Sequence, residues 1–198
     1  MKRLAFLGLL VVAALLMAAC GKPPEAQIQE SRDALRLAEQ AGAPKYAPEA
    51  WTKALEARQA LDAELESQNG KLSLFRNYNK AGRLAAQLSE AAGEAAAAAT
   101  RRTVELRTEL SATIGELRNL LQTARSRVAA LPRTAAVSIA GLRARLSSAG
   151  ERIDQAQRSL DGSSYDEAMA RTSEARDLIR EVLRSVESAT PQAPSKKR

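Results

Sequence analysis

The sequence predicts an all-α protein, an elongated antiparallel helical bundle or coiled coil in which two three-helix bundles share one long central helix. Ala, Leu, Arg, Glu and Lys make up more than half of the 198 residues, a composition typical of long helices. Aromatic residues make up only 3%, which disfavours a β-rich fold because strands favour aromatic and β-branched side chains. No proline lies between Pro48 and Pro132 or between Pro132 and Pro191, so long helices can run without a break.

Residues 1–19 are predicted to be a lipoprotein signal peptide. A basic start at residues 1–3 precedes 16 uncharged residues, 4–19, a length that suits a signal sequence and is short for a membrane-spanning helix. The segment then reads LMAAC, with two small residues before Cys20, the only cysteine. This pattern resembles the lipobox of bacterial lipoproteins, although Met17 stands where that motif usually has Leu. The resemblance implies cleavage before Cys20 and its acylation; the alternative is an ordinary secretory signal with an incidental cysteine.

The residues after Cys20 predict the membrane to which the lipoprotein is delivered. Gly21 and Lys22 stand where an Asp would retain a lipoprotein in the inner membrane of a Gram-negative cell. The lipoprotein class therefore implies the inner leaflet of the outer membrane, with the body of the chain in the periplasm. Residues 20–24 form the acylated cysteine and a spacer that Pro23 and Pro24 stiffen.

Residues 25–100 are predicted to form an N-terminal helical bundle. The first helix covers about 25–41 and stops at Gly42. The second starts at Pro48, a suitable first-turn residue, and is extended to about residue 76. Its apolar seam follows helical spacing and is interrupted by Gln68; it reads Ala50, Ala54, Ala57, Leu61, Leu65, Leu72 and Phe75. The alternative is a break at the turn pair Asn69-Gly70.

The third helix is predicted to be the longest, over 78–131, and to continue into a C-terminal bundle, 101–190. Nothing within it forces a stop before Pro132, where we expect a sharp corner. The predicted apolar face of this helix is rich in small residues in its first half and in leucine in its second half. Its positions are Ala81, Ala85, Leu88, Ala92, Ala95, Ala99, Thr103, Leu106, Leu110, Thr113, Leu117, Leu120, Ala124, Val128 and Leu131.

Two more helices, about 134–160 and 165–188, are predicted to pack as antiparallel neighbours because a turn of about four residues joins them. Their apolar positions keep 3,4 spacing: Ile139, Leu142, Leu146, Ala149, Ile153, Ala156 and Leu160, then Tyr165, Ala168, Thr172, Ala175, Ile179, Val182 and Val186. The polar segment 191–198 is predicted to be a disordered basic tail.

Each of the three tyrosines precedes a helix whose first small residues follow the same spacing. Tyr46, Tyr78 and Tyr165, with Trp51 nearby, are interpreted as structural aromatics that plug inter-helix turns. The alternative is a set of aromatics that contacts a ligand.

The segments 41–51 (AGAPKYAPEAW) and 77–81 (NYNKA), with the Ala-rich helix that follows, resemble the bacterial envelope proteins of the domain of unknown function 4398. The resemblance covers about residues 25–100 and leaves 101–190 outside. It implies a short helical envelope lipoprotein, some relatives of which carry the segment beside a peptidoglycan-binding domain. The family assigns no catalytic residues.

The residue inventory argues against catalysis. The chain has no histidine and a single cysteine, which removes the commonest general base and metal ligand. The nearest acidic pairs in sequence are expected on solvated helix faces; they are Glu64/Glu66, Glu105/Glu109 and Asp166/Glu167. We therefore predict no enzyme, no cofactor and no metal site.

The formal net charge is +7, and a periplasmic address makes nucleic acid an unsuitable target. Lys196, Lys197 and Arg198 are expected either to contact an anionic surface, such as lipopolysaccharide or peptidoglycan, or to be solvated. The predicted function is a non-catalytic lipid-anchored helical spacer or a module that binds an envelope protein, with self-association able to add burial. The alternatives are a periplasmic carrier that holds a lipid or apolar ligand inside the bundle, and an activator of an envelope enzyme.

Overall fold

The computed structural model describes residues 22–132 and 137–189. Of these residues 88% are helical and none forms a β-strand, so the all-α prediction is confirmed. The chain divides between Thr103 and Val104 into two compact units, which are described separately below. The predicted signal peptide, Cys20 and the basic tail 191–198 lie outside the described residues.

The first unit contains helices α1 (Glu25–Gln40), α2 (Ala43–Tyr46) and α3 (Pro48–Asn69), a 3₁₀ turn (Ser73–Phe75), and α4 (Asn79–Ala129) as far as residue 103. Gly42 allows the turn from α1 into α2, because its φ is +79° and an added Cβ would lie 2.8 Å from the Tyr46 ring. The short helix α2 is an element that the sequence prediction lacks.

Alanine dominates the core of the first unit. Most buried positions come from α1, α3 and α4, with Ala43 from α2 and Tyr78 from the residue before α4. Small side chains let the helices approach closely. The fully enclosed large side chains are Leu61 and Leu88, so each buried position removes less apolar area from water than in a leucine-rich bundle. The buried apolar cluster comprises Ile28, Leu35, Ala38, Ala43, Ala54, Leu61, Tyr78, Ala81, Ala85, Leu88, Ala92, Ala95 and Ala99.

The predicted extension of the second helix to residue 76 is wrong, and the alternative break at Asn69-Gly70 is confirmed. The last helical residue of α3 is Asn69. Leu72 and Phe75, expected on the buried seam, are 75% and 71% exposed, whereas Gln68, expected to interrupt it, is buried. The chain leaves the helix here because polar groups of the following segment bond back to the end of α3, as described below.

The second unit contains the remainder of α4, from residue 104, with α5 (Ile139–Asp161) and α6 (Tyr165–Ala189). The seams of α5 and α6 lie buried as predicted, except that Ile139 is only half-buried. Helix α5 begins at Ile139 and not at 134, because the Ser138 side chain accepts a hydrogen bond from Gly141 N at 3.2 Å and caps the helix. Residues 133–136, before this cap, lie outside the described residues.

The predicted register of the second half of α4 is wrong at two positions. The structure buries Ile114 and Leu121 where Thr113 and Leu120 were expected. An α-helix has 3.6 residues per turn, so a strict 3,4 alternation drifts around it, and the larger apolar side chains occupy the interior. Thr113 instead donates to the Glu109 carbonyl at 2.9 Å. The helix ends at Ala129, and Pro132 is exposed.

Candidate functional site

The connection between α3 and α4 carries three neighbouring large apolar side chains in solvent. Leu72, Leu74 and Phe75, here named the apolar tip, are 75%, 91% and 71% exposed. Elsewhere in the described residues, large exposed apolar side chains stand apart from one another along the chain, as Val104 and Met169 do. A group of exposed apolar side chains marks an interaction surface more often than an isolated one does.

A set of polar side chains holds the base of this connection. We name it the polar clamp; its members are Glu64, Gln68, Asn69, Asn77, Tyr78 and Lys80. Gln68 Nε2 donates to Glu64 Oε1 at 2.6 Å, and Gln68 Oε1 accepts from Asn77 N at 3.0 Å. Lys80 Nζ lies 2.8 Å from Glu64 Oε2. These bonds join the C-terminal part of α3 to Asn77, just before α4, and to Lys80 in the first turn of α4.

The side chains of Tyr78 and Arg76 also bind the residues at the start of this connection. The buried Tyr78 donates its hydroxyl to Asn69 Oδ1 at 3.0 Å. Arg76 donates from Nε to the Lys71 carbonyl at 3.0 Å and from Nη2 to the Asn69 carbonyl at 3.1 Å. Hydrogen bonds therefore hold the two ends of the α3–α4 connection together, and the side chains of the apolar tip between them are exposed to solvent.

Electrostatics in the polar clamp keep Glu64 ionised. The hydrogen bond from Lys80 lowers the pKa of Glu64, the hydrogen bond from Gln68 lowers it further, and burial opposes them both. A lowered pKa is the opposite of what a carboxylic acid needs to donate a proton near neutral pH. Lys80 and Gln68 each bind one oxygen of the Glu64 carboxylate. This arrangement is suited to holding the connection between α3 and α4 in place.

The expectation that Glu64 lies on a solvated face is wrong. Its side chain is 9% exposed, while Glu66, Glu105, Glu109, Asp166 and Glu167 are exposed as expected. The signal for the polar clamp was present in the spacing, because Leu61, Glu64 and Gln68 follow each other at 3 and 4 residues and share one helix face. The basic partner that stabilises them lies on another helix and gives no local signal.

Three of the aromatic residues singled out from the sequence, Tyr46, Trp51 and Tyr78, occupy separate places in the first unit. Tyr46 ends α2, with the Lys45 ammonium 5.1 Å from its ring centroid. Trp51 is half-buried beside an open groove of about 470 Å³ that α1 residues also line. The 22 residues of α3, about 33 Å of helix, separate Tyr46 from Tyr78. These two rings therefore do not form one ligand-contacting set.

Tyr165, in the second unit, is the buried first residue of α6. It stands at the turn from α5, where Ser163 adopts a φ of +59° and Ser164 N donates to the Ser159 carbonyl at 2.8 Å. Its position is that of a side chain covering the end of a helical hairpin.

The grooves of both units open to solvent. One of about 290 Å³ in the first unit lies between the start of α1 and the α3–α4 connection, lined by Pro23, Glu25, Ile28, Gln29, Arg32, Leu65, Asn69 and Tyr78. One of about 230 Å³ in the second unit lies between α4 and α5, lined by Arg125, Val128, Arg143, Leu146 and Ser147. Charged side chains line part of each groove.

Two further findings concern only residues 22–132 and 137–189. Within them no three His, Cys, Asp or Glu side chains come together in a way that could hold a metal ion. None of their helices combines the length and the apolarity needed to span a membrane.

No protein family, curated protein or solved structure matches the chain. The resemblance to the domain of unknown function 4398 stays a prediction.

Proposed function

We propose that the protein is a non-catalytic, lipid-anchored helical spacer or protein-interaction module of the bacterial cell envelope. The observation that carries this proposal is the position of Cys20. It is the only cysteine, and it follows an uncharged segment and two small residues. In sequence it stands two positions before the first described residue, Lys22. Glu25 N donates to the Pro23 carbonyl at 2.8 Å, and Ile28 N donates to the Pro24 carbonyl at 3.0 Å. Only Gly21 and Lys22 separate Cys20 from these ordered prolines.

The packing of the helices supports a spacer or interaction module. In each unit the apolar seams face one another, and ion pairs join the outer faces, such as Arg32–Asp62 at 3.4 Å in the first unit and Arg145–Glu181 at 2.8 Å in the second. The helices thus use their apolar stripes on each other and present polar faces to the surroundings. A partner, or a second copy of the chain, would dock on the exposed apolar residues that remain.

The filled cores favour this proposal over a carrier. A carrier of a lipid would need an apolar cavity, whereas the central positions of the first unit, including Ala85, Leu88 and Ala92, are completely enclosed by neighbours. An activator of an envelope enzyme would need only an exposed patch, so its distinction from a spacer depends on the partner. The basic tail, with Lys196, Lys197 and Arg198, is proposed to meet anionic envelope surfaces.

Membrane fractionation tests the anchor and the address together. We expect the wild-type chain in the outer-membrane fraction and Cys20→Ala outside it. A matched variant, Gly21→Asp, keeps the cysteine but introduces the acid that retains lipoproteins of this class, and it is expected in the inner-membrane fraction. Equal distribution of wild type and Cys20→Ala would refute the proposal.

Crosslinking and native mass spectrometry separate the functional alternatives. A photo-reactive residue at the exposed Val104 or Met169 should capture a defined envelope protein or a second copy, while one at exposed Gln122 serves as the control. If the captured protein is an enzyme whose rate changes on binding, the activator replaces the spacer. A lipid retained by the purified protein, in addition to the acyl groups on Cys20, would favour the carrier.

A further inference from the structure

We infer that the apolar tip, Leu72, Leu74 and Phe75, inserts into the headgroup region of the bilayer that holds the lipid on Cys20. The first unit would then contact the membrane at two points. This inference rests on the proposed anchor, and it adds to it a protein surface that meets the same bilayer.

The start of α1 lies at the end of the first unit that carries the tip. Pro23 and Ile28 line the same groove as Asn69 and Tyr78, the residues that fasten the base of the tip. On the other side, a Cβ added to Gly82, in the first turn of α4, would lie 3.9 Å from Pro24 Cγ. The chain therefore enters the folded unit beside the α3–α4 connection.

The length of the chain limits how far a lipid on Cys20 can lie from this end. Pro23 is the third residue after Cys20 in the sequence, and even a fully extended chain spans only about 3.3–3.6 Å per residue. The covalent chain therefore allows at most about 11 Å between these two residues. A bilayer that receives its acyl chains must come close to the end of the unit that carries the tip.

The chemistry of the tip suits an anionic membrane surface. Lys71 and Arg76 flank the exposed apolar side chains, and the segment 67–80 contains no acidic residue. Lys80, in the same segment, is already paired with Glu64 in the polar clamp. Apolar side chains enter the boundary between headgroups and acyl chains, while basic residues attract anionic lipids and each contribute about fivefold in affinity.

Several backbone groups of the tip and its base already have hydrogen-bond partners within the protein, as contact with a bilayer requires. Phe75 N donates to the Leu72 carbonyl at 2.8 Å, and the 3₁₀ turn also pairs Arg76 N with the Ser73 carbonyl at 3.4 Å. The Arg76 guanidinium occupies two further carbonyls at the base, those of Lys71 and Asn69. Backbone groups that enter a membrane must find their partners within the protein, and this turn supplies several of them.

A tryptophan reporter in the full chain tests the inference. In a Trp51→Phe background, Phe75→Trp places the reporter at the tip, and Leu37→Trp is the matched control. Leu37 is 59% exposed and lies 12 residues into α1, about 18 Å along the helix from its start. Each protein is purified from membranes in detergent and reconstituted into vesicles of phosphatidylethanolamine and phosphatidylglycerol, with and without brominated acyl chains.

We expect brominated acyl chains to quench the tip reporter and to leave the control reporter unquenched. In vesicles without bromine, the emission of the tip reporter should lie at a shorter wavelength than that of the control reporter. Lys71→Gln should lower the fraction of quenched tip reporter, by up to about fivefold in the insertion equilibrium. Equal quenching of the two reporters would overturn the inference.

Mass spectrometry of the N-terminal peptide of each preparation shows whether Cys20 is acylated, so failure of the tip inference can be distinguished from failure of the lipid anchor. If Cys20 is acylated and the tip reporter stays unquenched, the tip inference fails while the anchor stands. If Cys20 carries no lipid and the tip reporter is still quenched, the anchor fails while the tip contact stands. An unacylated and unquenched protein refutes both.

Discussion

Truncation of Leu88 to alanine should destabilise the first unit strongly. Leu88 is fully buried, and its neighbours along the seam of α4 are the fully buried Ala85 and Ala92. Removing three carbons forfeits about 2.5 kcal/mol of transfer free energy at about 0.8 kcal/mol per CH₂. Alanine neighbours have no side-chain freedom with which to fill the space, so a cavity term adds to this loss. We expect a decrease of about 3–4 kcal/mol in the free energy of unfolding.

Trp51 provides an assay specific to the first unit, because it is the only tryptophan and lies half-buried on α3. At a urea dependence of about 2 kcal/mol per molar, the loss corresponds to a midpoint lowered by about 1.5–2 M. The control Leu37→Ala alters a side chain that is 59% exposed and should shift the midpoint by less than about 0.3 M. If both variants shift the Trp51 transition equally, Leu88 is not the enclosed core residue described here.

Three further predictions concern the polar clamp and the helix ends. Gln68→Met removes the acceptor of Asn77 N and should speed trypsin cleavage after Lys71, whereas Gln59→Met, exposed on the same helix, should not. The lowered pKa of Glu64 means that its stabilising effect is complete at neutral pH and is lost as the pH falls through that lowered value; urea titrations at several pH values should show this loss, and Glu64→Gln should abolish it. Ser138→Ala, which removes the cap of α5, should cost about 1 kcal/mol by circular dichroism, and an unchanged midpoint would contradict the cap.

The last two helices show what apolar spacing can predict. Tyr165, Ile179 and Val182 are buried in α6 as their 3,4 spacing indicates, and the turn after Asp161 follows from its glycine and serines. Here the periodic pattern, the turn residues and the packing agree, because each helix buries one stripe against close neighbours.

The end of α3 shows where the pattern fails. Leu72 and Phe75 continue the helical period of the seam, so local spacing extends the helix past Asn69. The structure ends it there because Gln68 binds Asn77 and Glu64 binds Lys80, and both partners come from later in the chain. No local period contains these contacts. The spacing of Leu61, Glu64 and Gln68 places them on one helix face, but it indicates neither their partners Asn77 and Lys80 nor the exposed tip.

In α4 the sequence pattern did not determine which of two adjacent residues faces the core. Thr113 and Leu120 keep a strict alternation, yet Ile114 and Leu121 are the buried residues. The accumulated rotation of a 51-residue helix decides between them, and this rotation depends on the helices against which it packs.

Mass spectrometry of the N-terminal peptide from membrane-purified protein tests the central claim most directly. The lipid-anchor account predicts a mature chain that begins at Cys20 and carries acyl groups on it, and predicts that Cys20→Ala retains residues 1–19 without added lipid. An intact unacylated N-terminus in the wild-type protein, or a cleaved chain with a free Cys20 thiol, would contradict the account and remove the lipid anchor from the proposed function.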